Sequence, residues 1–586
     1  MVFIAITTAL GTNITNGTTT LGTLTAKQLP KFLSSDPANT EPPWGSNYSA
    51  QNSDGYLNAP DTGVVRRYDL TITRGTIAPD GFERQSLLIN NAFPGPLIEA
   101  NWGDTIQVTV NNKITGPEEG TTMHWHGFLH PDSEWEDGVP GISQCPIPPG
   151  DSFTYSFKAT PHGTTWYHSH FSAQYLEGLW GPLVIYGPET ASYDIDLGPV
   201  AISDYFHRGY FDILTDVMGT DLLKVRPASD NNLINGKMNY DCSKSTLPGS
   251  CTDNAGISKF AFASGKQHRL RLINTGIQAM QKFSIDHHNM TVIANDFVQV
   301  EPYVTNIVTL AVGQRTDVIV SANGNPNGTY FMRANITSGQ CTEPTDQSLA
   351  LAAIYYEHAD TSLTPTASDS DTQLDTTDPC TNSDLSIAVP AYRIPALEPS
   401  TTLHMEVNVT VNSTGHLIWT VNDSAFRTSY NDPLLLLANQ GNTSYPYDPQ
   451  WNVYDVGTNE TIRAIIRNLS PTSHPWHLHG HEMQVLSSGD GDWDGSIVNE
   501  ANPQRRDTQV LPANGHIVVQ WNSDNPGVWP FHCHIGWHLS GGLYTNILEQ
   551  EKKIRAQKIP QASFDNCKTW DAYTVRAVID QIDAGL

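Results

Sequence analysis

Four His-x-His pairs constrain this chain more than any other feature: His124/His126, His168/His170, His477/His479 and His532/His534. Random placement of its 21 histidines among 586 residues would produce roughly one such pair. In an extended strand, side chains i and i+2 share a face, so each pair presents two imidazoles in one direction. Two pairs stand early in the chain and two near its end, so a fold that uses them together must bring remote segments into contact. Eight imidazoles exceed what one four-coordinate ion accepts and suit a cluster of about three ions. A lone histidine is more often a satisfied core residue than a ligand. Four such pairs are not read that way.

Cys533 lies between His532 and His534 and so points to the opposite face of the same strand. Thiolate with imidazole is a ligand set that suits copper. His474, Cys533 and His538 make a two-His, one-Cys trio of the kind that forms blue-copper electron-transfer sites. The weak axial position of such sites is often Met. Here Leu543 stands at that spacing, and a side chain that donates no electrons raises the potential. Zinc is unattractive: it has no redox chemistry, and a closed zinc site leaves Cys533 without a role. One strand would carry electrons from Cys533 to His532 and His534.

At 586 residues the chain predicts two to four domains. Strand-like alternation with Gly, Pro, Asn and Asp turns runs through RRYDLTIT, DTIQVTVNN and GPLVIYG. The same texture returns at KQHRLRLINT and TDVIVSA, and again at TLHMEVNVTV and GHIVVQWN. This predicts an all-β chain of three β-sandwich domains, at residues 66–190, 195–355 and 386–545. Residues 1–65 form an N-terminal extension. Residues 356–385 are an acidic, apolar-poor linker. Residues 546–586 are a C-terminal tail, in which KTWDAYTVRAVIDQI reads as a helix.

The net charge of −28 repels nucleic acid and anionic membrane surfaces, and neither is expected as a partner. No run of 18 apolar residues predicts a membrane span. VFIAITTAL resembles a short signal core without a basic flank or a cleavage site. With Cys533 as a ligand, six cysteines remain, enough for three disulfides. Proximity and elimination pair Cys242 with Cys251, Cys341 with Cys380 and Cys145 with Cys567, although spacing alone does not determine connectivity. Sequons at Asn47, Asn289, Asn335, Asn408, Asn422, Asn468 and elsewhere add N-linked glycans to the expectation. Together these features point to a secreted, extracellular protein, read as a monomer.

The motifs HWHG, HSH, HPWHLHGH and HCHIGWHLSGGL are similar to those of multicopper oxidases and follow that family's order from residue 124 to residue 543. Within it the chain most resembles the laccases of ascomycete fungi. Leu543 carries this closer likeness, as does the ending Asp583-Ala584-Gly585-Leu586. That ending is similar to the Asp-Ser-Gly-Leu terminus of processed ascomycete laccases, with Ala584 as a departure. The resemblance implies three cupredoxin-like Greek-key domains and four copper ions. His474, Cys533 and His538 would hold one type 1 copper, and His124 and His477 one type 2 copper. His126, His168, His170, His479, His532 and His534 would hold two type 3 coppers. His481 would lie outside the ligand set.

The resemblance also implies an activity. Phenols or aromatic amines would be oxidised one electron at a time at His538, and O2 reduced to water at the histidine cluster. Asp137 matches the family's carboxylate near the type 2 copper, although an Asp before Gly138 also reads as a plain turn. The acidic residue that some members carry after the HCH motif is replaced here by Gly536. Asp230 and Asp241 are the candidates for the carboxylate that takes the phenolic proton, with Trp537 on the pocket wall. Leu586 would plug the way to the cluster, against the alternative of a frayed terminus. Bilirubin oxidase, ferroxidase and ascorbate oxidase are the near alternatives. Leu543 speaks against ascorbate oxidase, and the lack of an anchor against a fungal ferroxidase. A non-catalytic copper-binding glycoprotein would be expected to have lost ligands.

Overall fold

Strands form where apolar and polar residues alternate. In Thr105–Asn112, Ile106, Val108 and Val110 point inward and the intervening residues lie nearer solvent. The computed structural model describes residues 20–36, 38, 40–54, 59–337, 341, 343–366, 380–441 and 449–586. The VFIAITTAL segment and residues 367–379 of the acidic linker fall outside these residues.

One strand plan is used three times. In each unit a long first strand pairs in parallel with a later one: Val65–Ile77 with Thr105–Asn112, Ile195–Tyr205 with Gln267–Asn274, and Thr401–Val411 with Thr461–Asn468. The facing sheet of each unit repeats a second parallel pair: Ile98–Asn101 with Trp180–Tyr186, Ser258–Phe262 with Leu349–Tyr356, and Val453–Gly457 with Tyr544–Glu549. The remaining neighbours are antiparallel, so each unit is a Greek-key sandwich around its own apolar core. The last unit closes at Glu549. Part of the N-terminal extension belongs to the first core, where Trp44 is buried and Phe32 and Leu33 pack.

The histidine pairs ride on these sheets. His124 pairs in register with His168, and Trp125 with Tyr167. In the third unit Trp476 pairs with Cys533 and His477 with His532. Two antiparallel ladders, one from each end of the chain, therefore face each other across a domain boundary. No helix among the described residues is long and apolar enough to cross a membrane.

The C-terminal helix spans Gln561–Thr574, earlier than the sequence predicted. It stops there because Thr574 and Val575 are β-branched, and Val575 and Val578 are exposed, with no core to hold a further turn. Trp570 on this helix is buried against Phe171 and Tyr430, and Cys567 one turn earlier is bonded to Cys145 of the first unit. Cys242–Cys251 and Cys341–Cys380 are also bonded, which leaves Cys533 as the free, buried cysteine. The final residues are not frayed. Ala584 and Leu586 are buried in an apolar cluster with Ile142 and Tyr544. Ser172 donates to Asp583 at 2.7 Å, and Tyr430 donates to the Gly585 carbonyl at 2.7 Å.

Candidate metal centre

The eight pair histidines converge. Ligand atoms of His126, His168 and His534 lie within 4.8 Å of one another, as do those of His170, His479 and His532, and those of His124, His126 and His477. All are buried. His126 Nδ1 and His534 Nε2 are 3.3 Å apart, and His479 Nε2 and His532 Nε2 are 3.0 Å apart. Two nitrogens bonded to one ion at roughly 2 Å are separated by about that much.

The far side of each ring explains which nitrogen faces inward. A carbonyl only accepts, so a ring nitrogen against one must be the N–H, and its other nitrogen keeps the lone pair. His124 donates Nδ1–H to the Asp137 carbonyl at 2.8 Å, and His168 donates to the Ser169 carbonyl at 2.9 Å. His477 donates to the Asp507 carbonyl at 2.8 Å, and His532 to the Cys533 carbonyl at 2.9 Å. The inward atoms His124 Nε2, His168 Nε2 and His477 Nε2 have no hydrogen-bond partner among the described residues. Buried polar atoms without partners are costly, and these form a concave set that a metal cluster fits. Burial first, then the neighbouring imidazoles, holds His126, His168, His170, His477, His479 and His534 far below the ordinary histidine value. Burial likewise brings His532 to about 4. Neutral imidazole is the form that binds metal.

On the other face of the same strand, Cys533 Sγ lies 3.5 Å from His474 Nδ1 and 3.8 Å from His538 Nδ1, and these two nitrogens are 3.1 Å apart. His474 Nε2 is held by Ser470 Oγ at 2.8 Å, which turns Nδ1 towards the thiol. Ile535 donates its N–H to Cys533 Sγ at 3.4 Å. Burial raises the thiol well above its ordinary value, so a bound cation is what would make it a thiolate. Leu543 is buried in the same apolar cluster as Cys533. The hydrogen bond from His532 to the Cys533 carbonyl ties the trio to the histidine cluster through one residue.

Asp137 is fully buried. Its Oδ2 accepts from His479 Nδ1 at 2.9 Å, and its Oδ1 lies 3.2 Å from His124 Nδ1. Burial raises its pKa, but His124, His130 and His170 outweigh this and hold it below the ordinary value. It does also precede a turn: Gly138 has φ +79° and a Cβ there would collide with the Met123 carbonyl. His481 faces away from the cluster, with Nδ1 against the His479 carbonyl and Nε2 against Glu549. Gly536 packs on Ile277.

Beside His538 a cleft of ≈ 170 Å³ opens between the second and third units, with Trp419 and Trp537 in its wall. Trp419 lies 4.0 Å from the His538 ring, and Trp537 donates to Gln278 at 2.6 Å. Neither Asp230 nor Asp241 reaches this cleft. Asp230 is taken up by the backbone and ring of His207, and Asp241 is exposed and caps the turn at Ser243. The carboxylate beside the ligand is Glu343, with Oε1 3.5 Å from His538 Nε2. Burial raises its pKa, and His538 with Arg226 more than reverse this, holding it below the ordinary value. The Cys341–Cys380 disulfide anchors its segment two residues away.

Sequence reasoning also missed Asp507. Its carbonyl orients His477, its Oδ1 lies 3.3 Å from His126 Nε2, and Arg315 grips both its oxygens at 2.7 and 2.6 Å. Gly313 of the second unit, at φ +85°, comes so close that a Cβ would press on His126 and His534. The second unit thus carries no pair histidine yet packs against the cluster.

A thiol–imidazole trio joined through one strand to an eight-imidazole cluster defines an oxidoreductase built on several metal ions. Sequence profiles described as multicopper oxidase match residues 71–190, 196–359 and 409–553. The chain is 39% identical over 538 residues to oxidoreductase OpS5 of Beauveria bassiana, spanning 90% of this chain and 89% of that protein. It is 37% identical over 556 residues to laccase-2 of Botryotinia fuckeliana, spanning 93% and 92% of the two. The crystal structure of the laccase from Botrytis aclada superposes with a TM-score of 0.84 at 34% identity, covering 94% of this chain and 100% of that one. The chain belongs to the multicopper oxidase family, and copper is the metal these ligands bind.

Proposed function

We propose that the protein is a secreted, glycosylated laccase that oxidises phenols and aromatic amines with O2. The observation that carries this reading is the cleft at His538, where a metal ligand, a buried carboxylate and an aromatic wall meet. The ligand groups fit four coppers. His474, Cys533 and His538 suit a type 1 ion, and His124 and His477 a type 2 ion. His126, His168 and His534, with His170, His479 and His532, suit a type 3 pair. When bound, these ions accept single electrons at one end and deliver four to O2 at the other.

The protein's residues do the rest. Trp419 and Trp537 line the cleft and offer apolar surface to the donor ring. Glu343 Oε1 accepts the proton that the phenol gives up as it loses an electron. The apolar surroundings of Leu543 favour the reduced state at the trio. The strand Gly527–Cys533 connects the trio to the cluster. Each O2 reduced to two waters consumes four electrons and four protons, and Asp137 is the carboxylate placed to pass protons to the cluster.

The test is steady-state kinetics of the copper-loaded protein on a phenol, bilirubin, ascorbate and Fe(II). Preference for the phenol supports the reading, and strong preference for Fe(II) overturns it.

A further inference from the structure

The cleft beside His538 contains one cation that oxidation of a simple phenol does not require. Among its lining residues only Arg226 and Glu343 carry full charges; Val217, Met218, Val225, Val409 and Leu417 are apolar. Arg226 bonds Glu343 Oε2 through Nε, while Oε1 faces His538 on the other side of the same carboxylate. The arginine side chain is 52% exposed, and its two terminal nitrogens have no partner among the described residues. A guanidinium bonded through Nε keeps the paired edge between those nitrogens, a fork that fits a carboxylate.

A half-exposed ion pair adds little stability. A cation in the cleft also repels a donor as it becomes positively charged. That repulsion works against the reaction unless the cation binds something. The net charge of −28 likewise disfavours anions at long range, but salt screens that field beyond roughly 10 Å, whereas contact with Arg226 is local.

We propose that Arg226 is a specificity-determining residue, and that the cleft selects phenols bearing a carboxylate across the ring from the reacting hydroxyl. The hydroxyl meets Glu343 Oε1 at His538, the ring lies along the tryptophan wall, and the carboxylate meets the free edge of Arg226. This rests on the laccase reading.

The experiment compares ferulate with methyl ferulate, which carry the same phenol but differ in charge, on the copper-loaded enzyme and on Arg226→Gln and Arg226→Lys. The wild type should favour ferulate in kcat/KM. Arg226→Gln should cut that preference at least tenfold, mainly through KM, as expected for a charged hydrogen bond, and Arg226→Lys should retain part of it. Equal losses on acid and ester would mean that Arg226 only positions Glu343, and the proposal falls. Should Arg226→Gln not fold, 4-methoxycinnamate and its amide serve on the wild type as inhibitors that have no phenolic hydrogen to lose. The acid should inhibit methyl ferulate oxidation at least tenfold more strongly, and equal inhibition overturns the proposal. A wild type that oxidises neither ferulate nor its ester refutes the laccase reading instead.

Discussion

His479 donates its Nδ1–H to the Asp137 carboxylate across 2.9 Å, joining residues 342 positions apart in the chain. One oxygen of Asp137 thereby orients a cluster histidine of the third unit, and the other lies against His124 of the first. Asp137→Asn keeps the shape but loses the charge and the ability to carry a proton. Oxygen-dependent turnover should fall roughly a hundredfold, while anaerobic reduction of the trio by a phenol proceeds at its usual rate. Stopped-flow bleaching of the blue band, followed by reoxidation with O2, separates the two. Equal slowing of both steps would count against the assignment.

Glu343→Gln removes the proton acceptor at His538. For phenols kcat/KM should drop by roughly two orders of magnitude. Hexacyanoferrate(II), which gives up an electron without a proton, should lose far less. A uniform loss across both donors would assign Glu343 a structural role only.

Removing Asp583–Leu586 takes a buried leucine from the cluster that contains Tyr544, and Tyr544 stacks on His532 at 5.1 Å. The lost burial alone is worth about 2–3 kcal/mol, so the melting temperature should fall. The KM for O2 should shift as well, because the tail packs beside a cluster ligand. Calorimetry and an oxygen electrode read these out, and a truncated enzyme unchanged in both would show the tail to be dispensable.

Stability should decline on the alkaline side. Burial raises Glu136 to about 8, and burial with Asp54 raises Glu482 to about 8. A carboxyl whose folded value lies above its unfolded one contributes stability in full below the unfolded value, and loses it as pH rises through the folded one. Between the two values, each group costs about 1.4 kcal/mol per pH unit. Melting temperatures should therefore fall from mildly acid pH towards pH ~8, and Glu136→Gln should flatten the slope. A variant with the parent's slope would refute the attribution.

The sequence showed most of the metal centre and little of the substrate cleft. His532, Cys533 and His534 announce a two-faced strand because strand alternation is local. Glu343 carried no such mark: it sits in a loop near Cys341, and only the packing of the second unit on the third brings it to His538. Asp230 and Asp241 lie near each other along the chain but outside the cleft, and Asp230 instead completes the surroundings of His207.

By itself, then, the sequence determined the ligands, their grouping on strand faces and the triplicated β texture, since each follows from spacing within a few residues. Tertiary structure decided which carboxylate stands at His538 and how Asp507, Arg315 and Gly313 brace the cluster. It also buried Leu586 rather than leaving it in solvent. Those relationships join residues hundreds of positions apart, and only the folded packing of the three units sets such distances.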